Sequence, residues 1–237
     1  MSVRGSDMQP LIFDLDGTIS DPTVGIGRSI NYALGAFGYP EIGAEEVSQY
    51  IGPPLDGIFR RIAPGASATT ILGMVARFRE RYGEVGYAEN FVYPGIPDAL
   101  QHLASHGVHM GICTSKKVEF AERIVTLFQL RSYFAFVSGG DIGVRKDEQL
   151  RTLIQQGTVS HGAAMIGDRA VDMTAAHANG LRSIGVLWGH GSRDELLAAV
   201  PDQLLESPME LRGLAGAIAR SRTAQPVLAA DGAARRR

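Results

Sequence analysis

Four short apolar runs in this chain each break off in turn or polar residues: "LIFDLDG" at 11–17, "VHMGICTSK" at 108–116, "AAMIGDR" at 163–169 and "RSIGVLWG" at 182–189. They are continuously apolar rather than alternating, the signature of strands buried on both faces, as in a parallel sheet. The stretches between them carry helical spacing, as in Phe120, Ile124, Leu127 and Phe128. The chain therefore reads as α/β, with a Rossmann-like parallel sheet core. In such a sheet the residues that follow each strand share one edge. Asp14, Thr114 and Asp168 all stand at such ends, so positions far apart in sequence are expected to converge.

Roughly 90 residues separate the first two runs, where a single right-handed crossover needs only ~30. The excess reads as an insertion. Ile26, Ile30, Leu34 and Phe37 form a helical stripe that ends near Gly38 and Pro40, and "TTILGMVARFRERYGEV" at 69–85 forms a second amphipathic helix weakened by Gly73. The predicted organisation is a core of residues 10–20 and 91–215, with 21–90 as a helical cap and "VYPGIPDAL" returning the chain to the core. Residues 1–9 and the Ala-rich segment 216–237 read as disordered tails.

A net charge of −2, with the one dense cationic run at Arg235–Arg237, leaves no basic footprint for nucleic acid. No apolar segment approaches the ~20 residues that cross a bilayer, and the N-terminus has no apolar signal core. The single cysteine, Cys113, reads as a small buried hydrophobe and suits a reducing, cytoplasmic setting. Nothing in the sequence sets an oligomeric state.

Asp14 and Asp16 lie two residues apart in an extended segment, on the same side, where their charges repel. A hard divalent cation relieves that repulsion, and Mg2+ takes one or two carboxylates while keeping room for substrate oxygens. "GDRAVD" at 167–172 supplies Asp168 and Asp172 from another strand end. Phosphoryl chemistry uses the remaining groups, because charge on the transferring oxygens calls for a metal, a cation and hydroxyl donors. Thr114 and Ser115 offer hydroxyls and Lys146 an ammonium. One of the paired carboxylates then serves as nucleophile and the other as acid and base. Taken singly, each cluster is ordinary turn or cap chemistry; their joint placement after strands makes the pattern.

In order, "DLDGT" at 14–18, "TS" at 114–115, Lys146 and "GDRAVD" resemble the four motifs of the haloacid dehalogenase-like phosphohydrolases. "DPTVGIGRSINYALGAFG", "IGPPL", "VYPGI" and "AAHANGLRSIGVLWGHGS" extend the likeness to the phosphoglycolate phosphatase-like branch, over about residues 10–213. The resemblance implies that Asp14 forms an aspartyl phosphate and that Asp16 protonates the leaving oxygen and then activates water. It implies Mg2+ on Asp14, the backbone carbonyl of Asp16 and Asp168. Thr114, Ser115 and Lys146 then hold the phosphoryl group, and Asp172 supports the metal's water shell or orients Lys146. A carboxylate at Asp16 points away from the dehalogenases. The segment before Lys146 is short for the branch, so Lys116, Lys117 and Arg145 stand as alternative phosphate cations.

The expected activity is a Mg2+-dependent phosphatase, a phosphomonoesterase for a small phosphorylated metabolite, phosphoglycolate-type or a nucleoside monophosphate. The alternatives are a β-phosphoglucomutase-like phosphomutase and a protein-directed phosphotransfer protein. Specificity is expected in the cap, where the "IGPPL" loop at 51–55 and Arg60 or Arg61 are the candidates.

Overall fold

The computed structural model describes residues 10–140 and 144–215, so the expected tails at 1–9 and 216–237 lie outside the described residues. Six parallel strands form the main sheet: β1 (Leu11–Phe13), β4 (Met110–Thr114), β5 (Val137–Gly139), β6 (Ala164–Gly167), β7 (Arg182–Val186) and β8 (Gln203–Leu205). Their spatial order is β5-β4-β1-β6-β7-β8. The chain leaves β1 for β4 on one side and returns to β6 on the other, which opens a crevice beyond the C-terminal end of β1. Register fixes what lines it, since Phe13 pairs with both Ile112 and Ile166.

The continuous apolar runs are explained by burial on both faces. Leu11, Phe13, Met110, Ile112, Ala164 and Ile166 point into one apolar cluster, against α4 (Ile96–Ser105) and α5 (Val118–Leu127). Ile12, Cys113 and Met165 point into another, against α6 (Lys146–Gln155) and α7 (Ala170–Ala178). Cys113 is fully buried and packs as a small hydrophobe. On α5 the inward residues are Ala121, Ile124 and Val125, while Leu127, expected in the stripe, is 47% exposed.

The insertion is helical. It comprises α1 (Thr23–Ala36), a 3-10 segment at Ala44–Tyr50, α2 (Leu55–Ile62) and α3 (Ala68–Glu84), around an apolar cluster of its own. α3 runs unbroken through Gly73. A Cβ there would lie 2.4 Å from Cζ of Phe37, so the glycine is the point where α3 accepts the Phe37 ring at the end of α1. Entry and exit of the insertion pair as a two-stranded antiparallel ribbon, β2 (Ser20–Asp21) with β3 (Phe91–Val92), which straddles residues 20/21 and 90/91. The ribbon, β5 and β8 escaped the sequence because runs of two or three residues show no periodicity. α8 (Arg193–Ala198) closes the core beyond β7. Among the described residues, no helix is long and apolar enough to cross a membrane.

Candidate active site

β1 ends at Phe13, so Asp14 and Asp16 stand in the turn beyond it rather than within the strand. Asp14 is tied to the sheet by its N–H, which donates to Ile166 O at 2.8 Å, and its Oδ1 accepts from Leu15 N at 2.8 Å. Gly17 then reverses the chain at φ +81°, and a Cβ on it would stand 2.1 Å from Oδ2 of Asp168. Only glycine allows that turn and that approach together. The Trp188 Nε1–H donates to Thr18 O at 2.9 Å and pins the far side of the loop.

The repulsion anticipated between Asp14 and Asp16 is relieved by the protein itself, because each carries its own lysine. Lys146, at the start of α6 and 3% exposed, places Nζ 2.8 Å from Oδ2 of Asp14 and 2.5 Å from Oδ1 of Asp172. Lys116 places Nζ 2.9 Å from Oδ2 of Asp16. Burial alone would lower both lysines' pKa values, but their carboxylate partners outweigh it and hold both above the ordinary value. The alternatives raised for the cation therefore divide the work. Lys146 serves Asp14, Lys116 serves Asp16, and Arg145 is turned outward onto Asp147 at 2.9 Å.

Asp14, Asp168 and Asp172 are all buried, and each offers an oxygen within 4.8 Å of the others. Asp168 accepts from His190 N at 2.8 Å, and the Thr18 hydroxyl lies 3.4 Å from its other oxygen. Burial, followed by the charges of Asp172 and Asp14, pushes Asp168 up to about 8. Asp172 is also raised, by burial first. Asp14 and Asp172 share the one lysine, Asp168 has no cation in contact among the described residues, and the donor set is all oxygen. These residues fit a hard divalent cation. The Asp16 side chain is outside that cluster, on Lys116, which leaves its main chain rather than its carboxylate for a metal.

Thr114 is buried at the end of β4, while Ser115 lies at the exposed lip of the same turn. The Thr114 hydroxyl accepts from Lys116 N at 3.3 Å. The asymmetry within the first loop is pronounced. Oδ1 of Asp16 is buried with no hydrogen-bond partner among the described residues, and burial, then partly offset by Lys116, raises this carboxyl's pKa.

Three side chains at the site were not singled out from the sequence. Arg169 donates through Nη1 to Ile51 O at 2.8 Å and through Nε to Glu195 at 2.8 Å, so it joins the core to the "IGPPL" loop. Tyr82 of α3 brings its hydroxyl 2.6 Å from Lys116 Nζ. His190 follows β7, its N–H on Asp168. The only signal for His190 was the pair of glycines around it: a Cβ on Gly191 would meet Asp168 O at 1.8 Å. Nothing local announces a contact between residues 118 apart, such as Arg169 with Ile51. Of the cap arginines, Arg61 lies over the Tyr50 ring at 5.0 Å and donates to Gln49, and Arg60 is exposed.

Residues 11–186 match the family model of haloacid dehalogenase-like hydrolases. A 5'-nucleotidase of Pseudomonas aeruginosa is 37% identical over 195 residues, covering 81% of this chain and 88% of that protein. A phosphoglycolate phosphatase of Aquifex aeolicus is 30% identical over 216 residues, covering 86% and 95%. The solved structure of protein tyrosine kinase A (PtkA) from Mycobacterium tuberculosis superposes with a TM-score of 0.74 at 30% identity, over 90% of this chain and 100% of that one. Motifs, sheet order and matched length agree, and the chain belongs to the haloacid dehalogenase-like hydrolases, in the branch that resembles the phosphoglycolate phosphatases.

Proposed function

We propose that this protein is a Mg2+-dependent phosphomonoesterase acting on a small phosphorylated metabolite through an aspartyl phosphate on Asp14. The observation that carries the reading is the unequal treatment of two neighbouring carboxylates. Asp14 is aligned by the sheet and charge-paired with Lys146, as a nucleophile requires, whereas Asp16 keeps a buried oxygen free of partners, as a proton donor and acceptor requires.

Asp14, the main-chain carbonyl of Asp16 and Asp168 would hold Mg2+, with Asp172 supporting them from behind. When bound, the ion supplies charge neutralisation for the phosphoryl oxygens. The chain's own residues do the rest. Asp14 attacks phosphorus, the ester P–O bond breaks, and Asp16 delivers a proton to the leaving oxygen. Asp16 then takes a proton from the water that cleaves the Asp14 acyl phosphate. Lys146, Thr114 and Ser115 hold the transferring oxygens. Helices α1–α3 act as a cap: Arg169 on Ile51 and Lys116 on Tyr82 join them to the core on two flanks of the crevice, and closure excludes water.

The relatives' names favour two substrate types, a phosphoglycolate-type acid and a nucleoside monophosphate. A second reading, phosphoryl transfer to protein tyrosine, is favoured by the likeness to PtkA. Phosphate release across a panel of phosphorylated metabolites, with Mg2+ and with chelator, tests both. The phosphatase reading expects Mg2+-dependent release from one or a few small phosphomonoesters. No release from any of them, together with labelling of tyrosine from ATP, would favour the second.

A further inference from the structure

Tyr82 is part of the insertion's apolar cluster and lies where that cluster meets α5. It is 2% exposed, its ring stacks on Phe78 at 5.4 Å and 10°, and it meets Phe120 of α5 edge-on at 5.2 Å and 86°. Its hydroxyl nevertheless leaves this apolar setting and accepts from Lys116 Nζ at 2.6 Å, the same ammonium that lies 4.5 Å from the ring centre and 2.9 Å from Oδ2 of Asp16. The Lys116 side chain is itself only 8% exposed. The one ammonium therefore bridges the Tyr82 hydroxyl and the Asp16 carboxylate in a buried position. Its carboxylate partner is then fixed through Oδ2, with Oδ1 left without a partner and turned to other work.

We propose that Tyr82 is a positioning residue for the acid–base carboxylate Asp16, acting through Lys116, so that seating α3 against the core completes the proton-transfer geometry. The inference rests on the reading of Asp16 as the acid given above. With α3 withdrawn, Lys116 loses one of its two anchors and Asp16 loses its orientation, so proton delivery waits for the cap. Arg169 offers a built-in contrast, because it joins core to cap through Ile51 O without touching Asp16.

Leaving-group dependence separates positioning of an acid from support of the fold. An alkyl phosphomonoester leaves as a strongly basic alkoxide and needs a proton, whereas p-nitrophenyl phosphate leaves without one. The measurement is kcat/KM for both substrates, in wild type, Tyr82→Phe, Lys116→Met, Lys116→Arg, Arg169→Ala and Asp16→Asn, with thermal unfolding to confirm that each variant folds. Tyr82→Phe keeps the ring stack, and its alkyl-to-aryl ratio is expected to fall on the order of tenfold, against on the order of a hundredfold for Asp16→Asn and Lys116→Met. Lys116→Arg should recover part of that ratio. Arg169→Ala should lower both substrates alike and leave it unchanged. An unchanged ratio in Tyr82→Phe beside a lowered one in Asp16→Asn overturns the role of Tyr82 alone. An unchanged ratio in Asp16→Asn removes the acid itself, and the proposal falls together with the reading beneath it.

Discussion

With divalent cations chelated, this protein should lose stability as pH rises from about 6.5 to about 8, the reverse of what buried histidines and ion-paired carboxylates give at lower pH. The cause is Asp168, whose carboxyl is pushed up to about 8 from an ordinary value of 3.8 by burial and by the charges of Asp172 and Asp14. A raised folded-state value means that the native chain holds a proton the unfolded chain has released. Stability from that proton is complete below the unfolded value and disappears as pH climbs through the folded one. The window limits competing effects: His190, lowered by burial from 6.5, is neutral in the native state there and opposes the trend only near the lower limit, where the unfolded chain still holds part of a proton on it, and both buried lysines are held above their ordinary values. A native chain that holds most of one extra proton over about 1.5 pH units, at about 1.4 kcal/mol per unit, loses about 1.5–2 kcal/mol across the window. For a chain of this length that lowers Tm by roughly 3–8 °C. Asp172, raised to about 6, has released most of its proton below this window and adds little. Mg2+ competes with the proton, so its stabilisation should grow with pH and flatten the slope. The assay is urea or thermal unfolding at both pH values with chelator, with Mg2+, and in Asp168→Asn. A chelated protein equally stable or more stable at the upper pH would refute the reasoning, as would a slope that survives Asp168→Asn.

Lys146→Met leaves Asp14 and Asp172 buried without their cation, and urea unfolding near neutral pH should show a loss of about 3–5 kcal/mol, with phosphate release abolished. Gly17→Ala should fold at a cost of about 1–3 kcal/mol for the left-handed backbone, yet lose turnover, because its Cβ would displace Asp168; Mg2+-dependent stabilisation, read by thermal shift, should vanish with it. Pro54→Ala, in the loop whose Ile51 carbonyl meets Arg169, should change relative kcat/KM across a substrate panel while a beryllofluoride complex still forms at Asp14. Unchanged preferences would place specificity outside that loop.

Long-range convergence was legible wherever strand runs were long enough to show themselves. Asp14, Thr114 and Asp168 were placed at one sheet edge from three apolar runs, and register delivers them there because Phe13 lies between Ile112 and Ile166. The partition of the lysines was not legible. Lys116 and Lys146 look alike in sequence, and what distinguishes them is that one follows the β4 turn towards Tyr82 while the other opens α6 beside Asp172. The packing role of Gly73 was hidden for the same reason: a helix-weakening residue is also a packing device only when Phe37, 36 positions earlier in sequence, supplies the ring that lies against it. Arg169 and Tyr82 mark a general limit, since contacts between insertion and core depend on how two separately packed bodies meet. No local pattern encodes that.

Asp14 is the proposed nucleophile, and its direct measurement is rapid acid quench of a single turnover with 32P-labelled phosphomonoester, followed by mapping of the label on the chain. Covalent phosphate is expected at Asp14, rising and decaying within the turnover in wild type and absent from a folded Asp14→Asn. Label on another residue, or undiminished phosphate release by Asp14→Asn, would contradict it.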